Sequence, residues 1–81
     1  MPTIQILGIG CRKTKALKAN LAAALEYLSL DIEVEEIAGV DEIVSYGVSS
    51  TPALLIDGRV RFQGVVPGVA ELVSVLKKYA R

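Results

Sequence analysis

The sequence has 81 residues, enough for one domain spanning 1–81 and too few for two, and its 52% hydrophobic content argues against disorder. Nine basic and nine acidic residues cancel, so the electrostatic footprint of a nucleic-acid binder is missing. A single cysteine cannot form an internal disulfide, and the absence of histidine removes Ser-His-Asp and Cys-His catalysis together with the commonest metal ligand.

"TIQIL" (3–7) places Ile4 and Ile6 on one face and Leu7 on the other, the pattern of an interior strand. Gly8 and Gly10 then loosen the backbone. From Arg12 to about Ser29 the period changes: Leu17, Leu21, Ala24, Leu25 and Leu28 recur at steps of three and four, as on an amphipathic helix. "DIEVEEI" (31–37) alternates again, with Ile32 and Val34 opposite Glu33 and Glu35, and predicts a strand with one wet face. A strand, helix and strand joined this way predict a right-handed crossover and parallel strands. "GVDEIVSYGV" (39–48) fits a short helix with Asp41 as N-cap and Gly47 as its stop.

"ALLID" (53–57) and "RVRFQG" (59–64) flank Asp57-Gly58, a hairpin signal. Simple alternation puts Val60 and Phe62 on one face and Arg59, Arg61 and Gln63 on the other. Pro67-Gly68 precedes a last helix with the stripe Val69, Leu72, Val73, Leu76 and Ala80, and Lys77, Lys78 and Arg81 near its C-terminus suit the helix dipole. The element string is β-α-β-α-β-β-α, and one mixed four-stranded sheet flanked by helices is the economical α/β architecture.

The lone thiol stands in "GIGCRKT" (8–14) at a strand-to-helix junction. Unpaired N–H groups and the helix dipole there favour thiolate over thiol, and Arg12, Lys13 and Lys15 add positive charge. Cys11 is therefore expected to have a lowered pKa and to be a nucleophile for disulfide exchange. The plain alternative is a small semi-buried residue at a helix start. A solvated helix face is the plain alternative for the three basic residues. Tyr46 is expected in core or rim packing rather than in a substrate groove. "GIG" is no dinucleotide fingerprint, because Lys13 stands where the third glycine would be. Glu33, Glu35 and Glu36 read as a wet strand rather than a metal site.

"SSTPAL" (49–54) sets a proline just before an apolar strand, where a cis bond would turn the backbone sharply. "ILGIGCRKT", "YGVSSTPALLIDG" and "GVVPGVAEL" together resemble the thioredoxin superfamily, in particular its small glutaredoxin-sized, redox-active-disulfide members from archaea and bacteria. The resemblance covers nearly the whole chain. It implies a thioredoxin-like fold with strand order 2-1-3-4, a cis Thr51-Pro52 bond against Cys11, and a backbone at Thr51 that pairs with an extended substrate or with glutathione. In the family the first cysteine of C-x-x-C attacks and the second resolves. Cys11 matches the first, while Thr14 stands in place of the second.

A hydroxyl cannot attack a mixed disulfide as a thiolate does, so the resemblance implies a monothiol cycle resolved by an outside thiol such as glutathione. The site residues are then Cys11 and Thr14 for chemistry, with Thr51, Pro52, Arg12, Lys13 and Gly68 for substrate binding. Gly68 would offer its N–H to a glutathione carboxylate, unless it merely caps the last helix. No metal or tightly bound cofactor is expected. The expected partner is a disulfide-bearing protein or glutathione, without nucleic acid or membrane, and no apolar run approaches the ~20 residues of a membrane helix. The expected compartment is the cytoplasm. Rival readings are a non-catalytic binding module on the same fold, or a natural or engineered variant of a dithiol protein that has lost its resolving cysteine. A homodimer sharing an iron–sulfur cluster through Cys11 and glutathione is a third.

Overall fold

The computed structural model describes residues 3–10 and 12–79. In chain order they form β1 (Ile4–Leu7), α1 (Arg12–Tyr27), β2 (Val34–Ile37), α2 (Val40–Ser45), β3 (Ala53–Ile56), β4 (Arg59–Gln63) and α3 (Val69–Lys77). The sheet order is β2-β1-β3-β4, with β1 parallel to β2 and antiparallel to β3, and β3 antiparallel to β4. This is the mixed sheet and the order expected for a thioredoxin-like fold.

The two central strands are buried along their whole length, which is why both read as nearly continuous apolar runs. Ile4, Ile6, Leu54 and Ile56 meet Leu17, Leu21, Ala24 and Leu25 of α1 and Leu72 and Leu76 of α3 in one core. Leu7, Ala53 and Leu55 point the other way, to Ile37, Ile43 of α2 and Val48. Burial of such aliphatic side chains contributes about 1.5–3 kcal/mol each. By contrast, the Lys18–Glu36 ion pair (2.8 Å) is half exposed and screened, so it is worth under about 1 kcal/mol. Packing, not surface charge, holds α1 on the sheet.

Four local features depart from the sequence-based expectation. β2 is shorter, starting at Val34, and its alternate faces are not dry and wet. Val34 and Glu36 pair with Ile4 and Ile6, while Glu35 and the buried Ile37 pair with Gln5 and Leu7. Gly39, not Asp41, is the N-cap of α2, and Asp41 lies in the first turn, where its negative charge suits the dipole. In β4, Leu54 pairs with Phe62 but Leu55 pairs with Val60, so Arg61 is an extra residue in a β-bulge. Val60 and Phe62 therefore face opposite sides: Phe62 packs on the α1–α3 core and Val60 sits beside Leu55. Arg61 lies 5.8 Å from the centroid of the Tyr79 ring, an extra cation–π contact at the same edge.

The last departure is at the end of α1. Ser29 adopts the left-handed conformation (φ 55°), with Leu30 N–H donating to Leu25 C=O (2.9 Å) and Ser29 N–H donating to Glu26 C=O (3.0 Å). This is a Schellman ending with serine where glycine is usual. Elsewhere the turn chemistry is conventional: Asp57 and Gly58 (φ 53° and 79°) make the two-residue hairpin turn their sequence predicts, and Gly47 (φ 79°) stops α2. Ser29→Gly relieves the left-handed strain at an exposed position. It is expected to raise stability by about 0.5–1 kcal/mol, read as a higher urea midpoint with an unchanged m-value.

Candidate functional site

The site is built by one register. Leu7, the last residue of β1, lies opposite Ala53, the first of β3. The strands are antiparallel, so the chain leaving β1 through Gly8, Ile9 and Gly10 runs out at the same sheet end where Thr51 and Pro52 bring the chain in. The Thr51-Pro52 peptide bond is cis. Pro52 is fully buried and Thr51 is half-buried, so the proline ring anchors the loop while the residue before it meets solvent.

This loop is fastened from several sides. Val48 is buried in the α2-side core. Ser49 donates from both its N–H (3.2 Å) and its hydroxyl (3.3 Å) to Gln63 Oε1. The Gly64 N–H donates to the Pro52 carbonyl (2.9 Å). The end of β4 thus carries the proline loop.

Across the gap, Gly8 N–H donates to Ile37 C=O (3.0 Å) and keeps the chain on the sheet one residue past β1. Thr14 is 6% exposed and lies directly against Gly8. A Cβ on Gly8 would collide with Thr14 Oγ1 and lie 2.9 Å from Thr14 Cγ2. The first turn of α1 is thereby seated on the end of β1, with Thr14 as its inward residue. Cys11 lies outside the described residues, between Gly10 and the start of α1 at Arg12.

Arg12, Lys13 and Lys15 are exposed on the same first turns. Ile9, in the loop between β1 and α1, is a 62% exposed apolar side chain. Gly68 is the N-cap of α3 and its N–H faces the carboxylate of Glu71 (3.4 Å). A substrate carboxylate at that N–H would meet an acidic group already in place, so the geometry favours capping there. Sequence reasoning did not single out Ser49, Gln63 or Gly64. Only Gly64 left a signal, a glycine directly after a strand, and its φ of 74° shows why glycine is needed.

The comparisons with known proteins agree with this geometry. A family model described as a thioredoxin domain matches residues 2–77. The chain belongs to the thioredoxin-domain family. It is 34% identical over 76 residues to a thioredoxin of Methanothermobacter thermautotrophicus, covering 94% of this chain and 99% of the relative. It is 35% identical over 79 residues to a thioredoxin of Methanocaldococcus jannaschii, covering 98% and 91%. Among solved structures, thioredoxin-2, described as a component of malaria parasite protein secretion machinery, superposes with a TM-score of 0.65 at 15% identity. It covers 95% of this chain and 84% of that one, and shows the shared fold. The chain is thus a thioredoxin-like thiol redox protein.

The Gly64 contact has a measurable cost. A Cβ there would lie 3.1 Å from Ser50 Cβ, whereas at Gly47, also left-handed, it would meet nothing within 4 Å. Gly47→Ala is expected to lose about 1–2 kcal/mol from backbone strain alone. Gly64→Ala is expected to lose more in the same urea titration, because Ser50 must also move.

Proposed function

We propose that this thioredoxin-like protein works through a single thiol, forming mixed disulfides between Cys11 and a disulfide-bearing protein or glutathione. The observation that carries the reading is the Leu7–Ala53 pairing, which brings the buried Pro52 and half-buried Thr51 to the sheet end where the loop leading to α1 leaves β1. In that reading the Cys11 thiolate attacks one sulfur of the substrate disulfide. A new sulfur–sulfur bond forms, the old one breaks, and the departing sulfur leaves as a thiolate that takes a proton from water. Thr51, half-buried before the anchored proline, offers backbone groups to an extended substrate segment in the manner of an added strand. Arg12 and Lys13 stand exposed on the first turn of α1, where an anionic substrate would approach, and the exposed Ile9 precedes them in the same loop.

Thr14 decides how the cycle closes. In this reading it stands three residues after Cys11, where a dithiol protein carries its second sulfur. An alcohol is not ionised near neutral pH, so it does not expel the bound partner. An external thiolate such as glutathione must attack the mixed disulfide and release Cys11 in its reduced form, with the disulfide passed on to the outside thiol. Thr14 instead supplies a hydroxyl within the first turn, suited to hydrogen-bonding the thiolate.

Intact-mass analysis after incubation with oxidised glutathione tests the reading. One glutathionyl group per chain is expected, removed by reductant and lost in Cys11→Ser. No adduct, together with an alkylation rate that rises only around the ordinary thiol pKa of about 8.5, would count against an activated thiol. A second prediction concerns release. Thr14→Cys is expected to release the reduced peptide once per chain without added thiol, leaving an internal disulfide in the variant, as read by intact mass. The unsubstituted protein is expected to stop at the adduct unless glutathione is added.

A further inference from the structure

Gln5 stands out because it is a polar side chain, only 9% exposed, in the middle of the innermost strand. A carboxamide buried there must find partners, since an unsatisfied one costs about 1–3 kcal/mol. It finds two. Gln5 Nε2 donates to Glu35 Oε1 (2.8 Å) on the neighbouring strand and to Tyr46 Oη (3.2 Å) at the end of α2. Tyr46 is the C-cap of α2. Six residues further along the chain is the cis proline, reached through Gly47, the buried Val48 and Ser49.

The path has consequences for geometry. β1 carries Gln5 and, beyond Leu7, the loop to Cys11. α2 carries Tyr46 and, beyond Gly47, the loop to Thr51 and Pro52. The Gln5–Tyr46 hydrogen bond joins these two elements directly. α2 has only 6 residues and a single buried side chain, Ile43, so its packing alone fixes its C-terminal end weakly. Gln63 and Gly64 hold the proline loop from the β4 side, and the Tyr46 contact holds the segment feeding it from the β1 side.

We infer that Tyr46 and Gln5 are positioning residues: their hydrogen bond fixes the end of α2, and through it the distance between the Thr51-Pro52 loop and the loop bearing Cys11. This rests on the thiol reading above for its functional consequence, but not for its structural one. Their effect falls on docking of an extended disulfide substrate, which spans both loops. It does not fall on the intrinsic reactivity of Cys11.

The experiment compares the full chain with Tyr46→Phe, which removes one oxygen, and with Gln5→Leu, which keeps the site filled by an apolar group. Three readouts are taken: amide chemical shifts of residues 48–51, the alkylation rate of Cys11 with iodoacetamide, and the rate of mixed-disulfide formation with a disulfide-linked peptide. In both variants the amides of Ser50 and Thr51 are expected to shift. The alkylation rate is expected to stay the same, and the peptide rate to fall about three- to ten-fold, the scale of one net hydrogen bond. Shifts confined to Gln5, Tyr46 and their immediate neighbours would overturn the inference. So would equal losses in both rates, which would mean a general loosening of the fold. If the amides move while the peptide rate does not, the positioning contact stands and the docking role given to Thr51 fails. If the unsubstituted protein forms no adduct with the peptide, the thiol reading itself fails, and the amide shifts alone then decide the structural inference.

Discussion

The antiparallel pairing of β1 with β3 is the constraint from which the site follows. It is built from aliphatic side chains buried on both faces of the sheet, four on each strand except for Gln5. Because strand residues alternate in direction, a slip of one residue would turn each of these side chains to the other face. The register is therefore held by the whole core, and it fixes Leu7 opposite Ala53. Everything chemical lies just past that pair: a glycine loop on one side, a cis proline on the other. The sheet itself brings the two loops to one end.

Burial and exposure then divide the labour. Pro52 and Thr14 are inward, while Thr51, Ile9, Arg12 and Lys13 meet solvent. Gly8 has to be small because Thr14 occupies the space of its side chain. A second cysteine at position 14 would occupy this same inward seat. Under the single-thiol proposal, Thr14 fills that seat sterically and leaves release of the bound partner to an outside thiol.

Much of this was legible in the residues. The apolar runs 3–7 and 53–57, Asp57-Gly58 and the helical stripe from Leu17 to Leu28 report local physics, and the structure follows them. "SSTPAL" and the position of Cys11 carried the family resemblance. What the sequence did not display depends on contacts between distant residues. The bulge at Arg61 splits Val60 from Phe62, and strict alternation cannot foresee an extra residue. Gln5 has partners 30 and 41 positions away, and Gln63 clamps Ser49 from 14 away. Glu35 alternates as one residue of a wet strand, yet its carboxylate accepts a hydrogen bond from the buried carboxamide of β1. Gly39 displaces Asp41 as the helix cap, a shift of two residues that composition does not set.

The proposed chemistry requires the Cys11 thiol to face the Thr51-Pro52 loop across the end of the β1–β3 pair. Nuclear Overhauser contacts in the reduced protein measure this most directly. The account predicts cross-peaks from the Cys11 β-protons to the Pro52 ring and to Thr51. Cross-peaks from Cys11 only to the aliphatic core, with none to residues 51 or 52, would contradict it.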